Sequence, residues 1–238
     1  MKALIDADVL LYRLGFKTEE LPVEEAIDGL VEYVHSIADA VDATEVVLYL
    51  SCSRAENFRT KINPEYKGNR SSEKPKHFLA MRDFMVEHMN AVEGISEEAD
   101  DLIGIAQAQD PENTVGCSND KDILYGVVGH KYNFVKQEKF YTTSEDALLF
   151  FYRQLLVGDD VDNIKGIKGV AMKTAEKILP SLLEEDLMFD IVVSEYAKRS
   201  PHTTLEQITA IGQQLKIRAF KGEIWQPPNG VQDDFVPS

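Results

Sequence analysis

Only two cysteines, Cys52 and Cys117, occur in the 238 residues. That is too few for a disulfide framework, and neither has a partner at metal-ligand spacing, so reduced thiols are expected. No apolar run approaches the roughly 20 residues that a membrane helix needs. The opening MKALIDAD reaches an acidic pair after one lysine and three apolar residues, which leaves no room for a signal-peptide core. These absences predict a cytoplasmic protein without a membrane partner. The five histidines are scattered and suggest no catalytic or metal cluster, and there is no internal repeat or low-complexity tract. Basic residues are also scarce, 25 against 41 acids for a net charge of −16, which argues against coating nucleic acid through a basic surface.

What is present is globular: 44% hydrophobic and 28% charged residues, in a length suited to one domain with an appended module. The few cations are concentrated. Between Arg54 and Arg82 eight basic residues face three acids, and between Asn163 and Pro180 four lysines face one glutamate. KALI at 2–5, EVVLYL at 45–50 and NTVGCS at 113–118 read as apolar strands, with helical spacing at 22–41, 76–90, 97–109 and 145–156. Strand alternating with helix predicts a mainly parallel α/β sheet, whose sites form beyond the carboxyl ends of its strands. Asp6, Asp8 and Asp120 fall at such ends. INPEYKGNRSSEKP at 62–75 has no apolar period and reads as an exposed loop or arch. GDDVDNIKGIKGVAMKTAEKILP at 158–180 looks like a helix-hairpin-helix. Two more helices should follow Ser181, and the tail QPPNGVQDDFVPS should pack loosely.

Acids cluster at four places: Asp6 with Asp8; Glu97, Glu98, Asp100 and Asp101; Asp120 with Asp122; and Asp159, Asp160 and Asp162. Taken singly, each is ordinary helix capping. Gathered in one cleft, so many like charges could not stay ionised without cations. Oxygen donors without matching His or Cys favour Mg²⁺ or Mn²⁺, and two such ions are a common device for phosphodiester hydrolysis.

These segments resemble the 5′-nuclease family, the flap-endonuclease and 5′-3′ exonuclease group that includes phage enzymes and the nuclease domain of bacterial DNA polymerase I. The likeness runs from residue 3 to about 180. IDADVLLYR is similar to the family's first-strand Asp with a basic residue seven positions on, here Asp6 and Arg13. EYKGNR resembles the Tyr-Lys-x-x-Arg motif at the base of the arch, implying that Lys67 and Arg70 grip the scissile phosphate; Tyr66 and Tyr12 could stack on an unpaired base, although a tyrosine beside a strand is more often core. EEADD, NDKD and GDDVDN resemble the metal-binding elements, implying Glu98, Asp100, Asp101, Asp120, Asp122, Asp159 and Asp162 as ligands beside Asp6. The hairpin would hold duplex DNA through Lys165, Gly166, Lys168, Gly169, Lys173 and Thr174, with a monovalent cation as a further implied ligand. Two departures stand out. Ser51 or Cys52 replaces the usual second-strand Asp, implying one outer-shell carboxylate fewer and altered metal affinity, and Ala171 replaces a usual hairpin glycine.

The resemblance implies an α/β fold, a PIN-like mainly parallel sheet flanked by helices with a helix-three-turn-helix module. Residues 1–150 would form the metal-binding core with the arch at about 54–82, residues 151–200 the duplex-binding region, and 201–238 a C-terminal helix and tail. The implied activity is two-metal 5′-nuclease hydrolysis of DNA bearing a 5′ end, flap or nick, with RNA–DNA hybrids left open and no obligate protein partner. A phage replication setting would make the compartment the host cytoplasm. Two alternatives compete: a DNA-end binding protein without catalysis, and a phosphohydrolase in which Asp6 attacks as nucleophile and Asp8 acts as acid.

Overall fold

The computed structural model describes residues 1–70 and 73–228. Ser71 and Ser72 of the expected arch, and residues 229–238 of the expected loose tail, lie outside the described residues. In chain order the elements are β1 (Lys2–Asp6), α1 (Ala7–Lys17), α2 (Val23–Ala40), β2 (Glu45–Leu50), α3 (Phe58–Ile62), α4 (Phe78–Met89), β3 (Val92–Glu93), α5 (Ala99–Gln109) and β4 (Thr114–Cys117). There follow α6 (Lys121–Gly126), β5 (Gly129–Asn133), β6 (Glu138–Thr142), α7 (Ser144–Val157), β7 (Gly158–Asp159), β8 (Ile164–Lys165), α8 (Met172–Ile178), α9 (Glu185–Arg199) and α10 (Leu205–Leu215). They divide into two compact units, the first from the described parts of Met1–Asn57, Ser71–Thr143 and Ile217–Lys221, the second from Phe58–Arg70, Ser144–Lys216 and the described part of Gly222–Ser238. Among the described residues no helix is long and apolar enough to cross a membrane.

The first unit is built on a six-stranded sheet in the order β3-β2-β1-β4-β5-β6, parallel except for β6. Its centre is β1, whose Ala3, Leu4 and Ile5 are wholly buried, as an apolar strand covered on both faces must be. Alternation sends Ala3 and Ile5 into one cluster with Leu10, Leu30 and Met81, and Leu4 into another with Ala99, Ile103 and Ile123. Helix α2 contributes Ala26, Leu30, Val34 and Ile37 at helical spacing, and Glu24 and Glu25 favour its first turn. The parallel register of β1 with β2 and β4 sets Asp6 opposite Tyr49 and Ile5 opposite Cys117, so three carboxyl ends are neighbours.

The β5–β6 hairpin has no counterpart in the sequence reading, because GHKYN and EKFYT lack a clean apolar alternation. The cause is Lys131, which is 1% exposed yet sits in mid-strand. Its Nζ donates to Gln107 Oε1 and, at 3.4 Å, to the Val128 carbonyl, while Gln107 Nε2 donates to the His130 carbonyl at 2.8 Å. Burial pushes the Lys131 ammonium down to about 7. The unfolded chain then binds the extra proton between about pH 7 and 10.5, so this group's contribution to stability rises with pH across that window. In urea unfolding at both ends of it, the wild type should gain on Lys131→Met as pH rises; a constant difference would refute a neutral buried amine.

The second unit gathers α3, α7, α8, α9, α10 and the two-stranded β7–β8 ladder around Tyr152, Leu155, Phe189, Val192, Tyr196 and Trp225. Tyr196 satisfies its buried hydroxyl on the Leu155 carbonyl at 2.7 Å, and α10 begins with a Thr204–Gln207 capping box. The described residues of 63–75 form the expected irregular, mostly exposed loop, but Tyr66 within it is 1% exposed, and residues 58–62 before it are helical. Arg59, counted in the basic island, is also 1% exposed: Nε donates to the Gln214 carbonyl at 2.7 Å and Nη2 to that of Lys216 at 3.2 Å, with the guanidinium 4.5 Å from the Phe58 ring centre. It closes the carbonyl end of α10, where a cation is favoured, and adds nothing to a DNA-facing surface.

Candidate active site

In the first unit the strand ends supply the carboxylates. Asp6 terminates β1 and caps α1, accepting from the Val9 amide at 3.3 Å through Oδ1 and from the Ser118 hydroxyl at 2.9 Å through Oδ2. Ser118 Oγ also accepts from the Asp120 amide at 3.0 Å, and Asp120 caps α6 by accepting from the Asp122 amide at 2.8 Å. Asp122 lies 3.9 Å from Lys121 Nζ. Asp8, on the first turn of α1, accepts from the Ser51 amide at 3.0 Å, so a carboxylate stands at the end of β2 although Ser51 and Cys52 are not acidic. Burial, then Asp8, and more weakly Asp120, push the Asp6 carboxyl up to about 7, against the lowering bonds from Ser118 and Val9. Arg13 is exposed on α1.

The start of α5 is more constrained than its acidity suggested. Ser51 Oγ accepts from the Ala99 amide at 2.9 Å. Glu98 and Asp101 form a capping box, with Asp101 Oδ2 accepting from the Glu98 amide at 3.2 Å. Asp101 Oδ1 accepts from the Arg218 amide at 3.2 Å, and the residue is 0% exposed. Asp101, an expected ligand, thus accepts from two backbone amides at the start of α5. Glu97 forms a buried ion pair with Arg218, Oε1 to Nη1 at 2.9 Å. Although burial opposes it, the Ser96 amide and Arg218 hold the Glu97 carboxyl below the usual range. Arg218 was missed because no local pattern joins residues 121 positions apart. Glu98 is buried and Asp100 half-buried.

The second unit stitches EYKGNR to GDDVDN. Asp159 Oδ1 accepts from the Val161 and Asp162 amides at 2.8 and 3.2 Å, folding the acidic turn. The Asp162 carboxylate receives the Tyr66 hydroxyl at 3.0 Å, Lys67 Nζ at 3.7 Å and Arg70 Nη2. Lys67 takes the left-handed backbone conformation (φ 54°) and donates its amide to the Asp162 carbonyl at 2.9 Å. Asn69 and Asn163 side chains add bonds to the Asp160 and Glu65 carbonyls at 2.7 and 2.9 Å. Base stacking by Tyr66 is thus corrected: its ring is buried in the apolar cluster, and its hydroxyl fixes Asp162. Asp160 is exposed, with Lys165 at 3.6 Å.

Between α7 and α8 the expected hairpin residues divide. A Cβ on Gly166 would come within 2.2 Å of the Val157 carbonyl carbon, so this glycine is required by the ladder itself. Gly169, at φ 81°, is exposed and meets nothing within 4 Å. Lys168 and Lys173 are exposed, and Thr174 is half-buried at the start of α8.

Among the described residues no three His, Cys, Asp or Glu side chains form a ready-made metal cage. The donor chemistry nevertheless fits a hard divalent cation: the strand-end donors are carboxylates, and Asp6 resists ionisation beside Asp8 and Asp120 until a positive charge relieves it.

Residues 2–185 match the family model described as the 5′-3′ exonuclease, N-terminal resolvase-like domain. A 5′-3′ exonuclease of Buchnera aphidicola subsp. Schizaphis graminum is 27% identical over 195 residues, covering 72% of this chain and 67% of the relative. Among solved structures, the T5 D15 protein co-crystallised with metal ions superposes with a TM-score of 0.60 at 17% identity, over 90% of this chain and 89% of that one. The catalytic core of Rad2 in complex with DNA substrate gives 0.56 at 13% identity, over 100% and 80%. These structural likenesses place the mixed, mostly parallel sheet and its flanking helices in the fold of the T5 exonuclease and Rad2. Because the family model covers residues 2–185, more than half of the chain, the chain belongs to the 5′-3′ exonuclease family, and its chemistry is that of a nuclease.

Proposed function

We propose that the chain is a divalent-metal-dependent 5′-nuclease that hydrolyses phosphodiester bonds of DNA at 5′ ends, flaps or nicks. The observation that carries this reading is the buried Asp6 carboxyl at the junction of three strand ends, bonded to Ser118 and raised by burial and by Asp8 and Asp120, a setting that favours a divalent cation. Two Mg²⁺ or Mn²⁺ ions would be held in the first unit by Asp6, Glu98, Asp100, Asp101, Asp120 and Asp122, and Asp159 and Asp162 are candidate ligands on the second unit. When bound, such ions supply an activated water and a counter-charge for the leaving oxygen.

The chain's own groups have separable tasks. Lys67 and Arg70, preorganised by Asp162, position and neutralise the phosphate as charge grows on it. Arg13 assists from α1. Residues 151–200 would hold duplex as a helix-three-turn-helix: the turn around Gly169 can bring backbone amides to phosphate or a monovalent cation to its carbonyls, and Lys165, Lys168 and Lys173 add charge without reading bases. Binding should therefore weaken steeply with salt. The likeness to the T5 D15 protein and Rad2, solved with metal ions and with DNA respectively, supports the assignment.

The test uses 5′- and 3′-labelled duplex, flap and RNA–DNA hybrid substrates with Mg²⁺ or EDTA. The expected result is Mg²⁺-dependent product from the 5′ side in the wild type and none with Asp120→Ala. DNA bound but never cut, even with Mn²⁺, would make the chain a DNA-end binding protein instead.

A further inference from the structure

We propose that Ser118 is a positioning residue for the carboxylates of the proposed metal site: its single hydroxyl ties Asp6, at the end of β1, to Asp120, at the start of α6. Strand β4 pairs with β1 in parallel register, with Ile5 opposite Cys117. Continued by one residue, that register sets Asp6 beside Ser118. The Ser118 amide donates to the Tyr132 carbonyl at 3.2 Å and so anchors the backbone there. Its hydroxyl donates to Asp6 Oδ2 at 2.9 Å and accepts from the Asp120 amide at 3.0 Å. One oxygen thus spans the ends of two neighbouring strands.

The two bonds fix each other. The Asp120 amide occupies a lone pair of the hydroxyl, so its one proton is directed to Asp6, and bonds chained in this way strengthen one another. The Val9 amide donates to the other oxygen of Asp6 at 3.3 Å, so the carboxylate is held at both ends and cannot turn about its side chain without breaking a bond. Ser118 is 0% exposed and Asp6 is buried, which keeps bulk water from competing for these donors. A carboxylate offers about four acceptor sites, and two donors orient it without filling it. Hydrogen-bonded partners of this kind are what hold a ligating carboxylate at the angle an ion requires. An apolar side chain at position 118 would leave the Asp120 amide without this acceptor and Asp6 with one donor in place of two.

The inference rests on the proposed metal reading, so both are measured together on the full chain by titrating Mn²⁺ and following the free ion by electron paramagnetic resonance. The wild type should bind, and Asp120→Ala should bind more weakly. Ser118→Thr and Ser118→Val have nearly the same shape, add the same bulk to a buried position and differ in the hydroxyl. Ser118→Val should bind Mn²⁺ about tenfold or more weakly than Ser118→Thr, the range seen when groups that orient ligands are lost. Any smaller difference between the two, whatever their melting temperatures in EDTA, would reduce Ser118 to a fold contact. If neither folds, Ser118→Ala removes the hydroxyl and adds no bulk, and its Mn²⁺ affinity is set against the wild type by the same criterion. A wild type that binds no Mn²⁺ would overturn the metal reading itself, whereas a wild type that binds, with Ser118→Thr and Ser118→Val alike, would overturn the role of Ser118 and leave that reading standing.

Discussion

Asp6→Asn should abolish cleavage and yet make the metal-free protein more stable at pH 8. The Asp6 carboxyl keeps its proton up to about pH 7 in the folded chain, against an ordinary value of 3.8. Between those values the folded state holds a proton that the unfolded state has released, so stability falls as pH rises from about 4 to 7 and the full cost stands above 7. At 1.36 kcal/mol for each pKa unit the cost is on the order of 4 kcal/mol. Asparagine retains an oxygen for Ser118 or Val9 and carries no charge. Urea unfolding in EDTA should therefore show the variant gaining on the wild type from pH 5 to pH 8, whereas saturating Mn²⁺ should raise the wild type far more than the variant. Cleavage should fall by more than about a hundredfold, the upper end of what losing a mere orienting group costs. Equal stability of the two proteins at pH 8 would mean that no charge is forced into that position.

What the sequence made legible was local. An apolar KALI followed at once by Asp6 announces a buried strand with a polar end, and NTVGCS before Asp120 repeats the signal, so the parallel sheet and its acidic rim were readable. Chemistry that depends on distant partners was not. Lys131 looks like a surface cation within a polar stretch, and only the approach of Gln107 from α5 makes a buried amine tolerable. Arg59 and Tyr66 counted towards a basic, base-stacking loop, but α10 supplies the carbonyls that draw Arg59 inward, and Asp162 supplies the acceptor that draws in the Tyr66 hydroxyl. Asp101 shares a motif with Glu98 and Asp100, and nothing local marks that its carboxylate faces inward towards a residue 117 positions later. Counting charges gives their number; which of them meet solvent is decided by long-range contacts.

Lys67→Met should lower turnover by about 10²- to 10³-fold while leaving substrate KM and Mn²⁺ affinity near wild type, because a preorganised cation acts mainly on charge that develops in the transition state. The preorganisation is visible: the Lys67 amide is fixed on the Asp162 carbonyl, its Nζ lies 3.7 Å from the Asp162 carboxylate, and Tyr66 lies under the ammonium at 5.1 Å from the ring centre. Arg70 shares the same carboxylate, so the loss in Lys67→Met/Arg70→Met should be smaller than the sum of the two single losses, as for groups acting through one partner. Backbone and charge can be separated at this position. The left-handed conformation at Lys67 suits glycine, so Lys67→Gly relieves the backbone yet should lose as much turnover as Lys67→Met. A Lys67→Gly variant that kept its turnover would assign the residue to loop geometry alone. A Lys67→Met variant that lost Mn²⁺ affinity with its turnover would place Lys67 in the binding of the ion rather than in the phosphate's transition state.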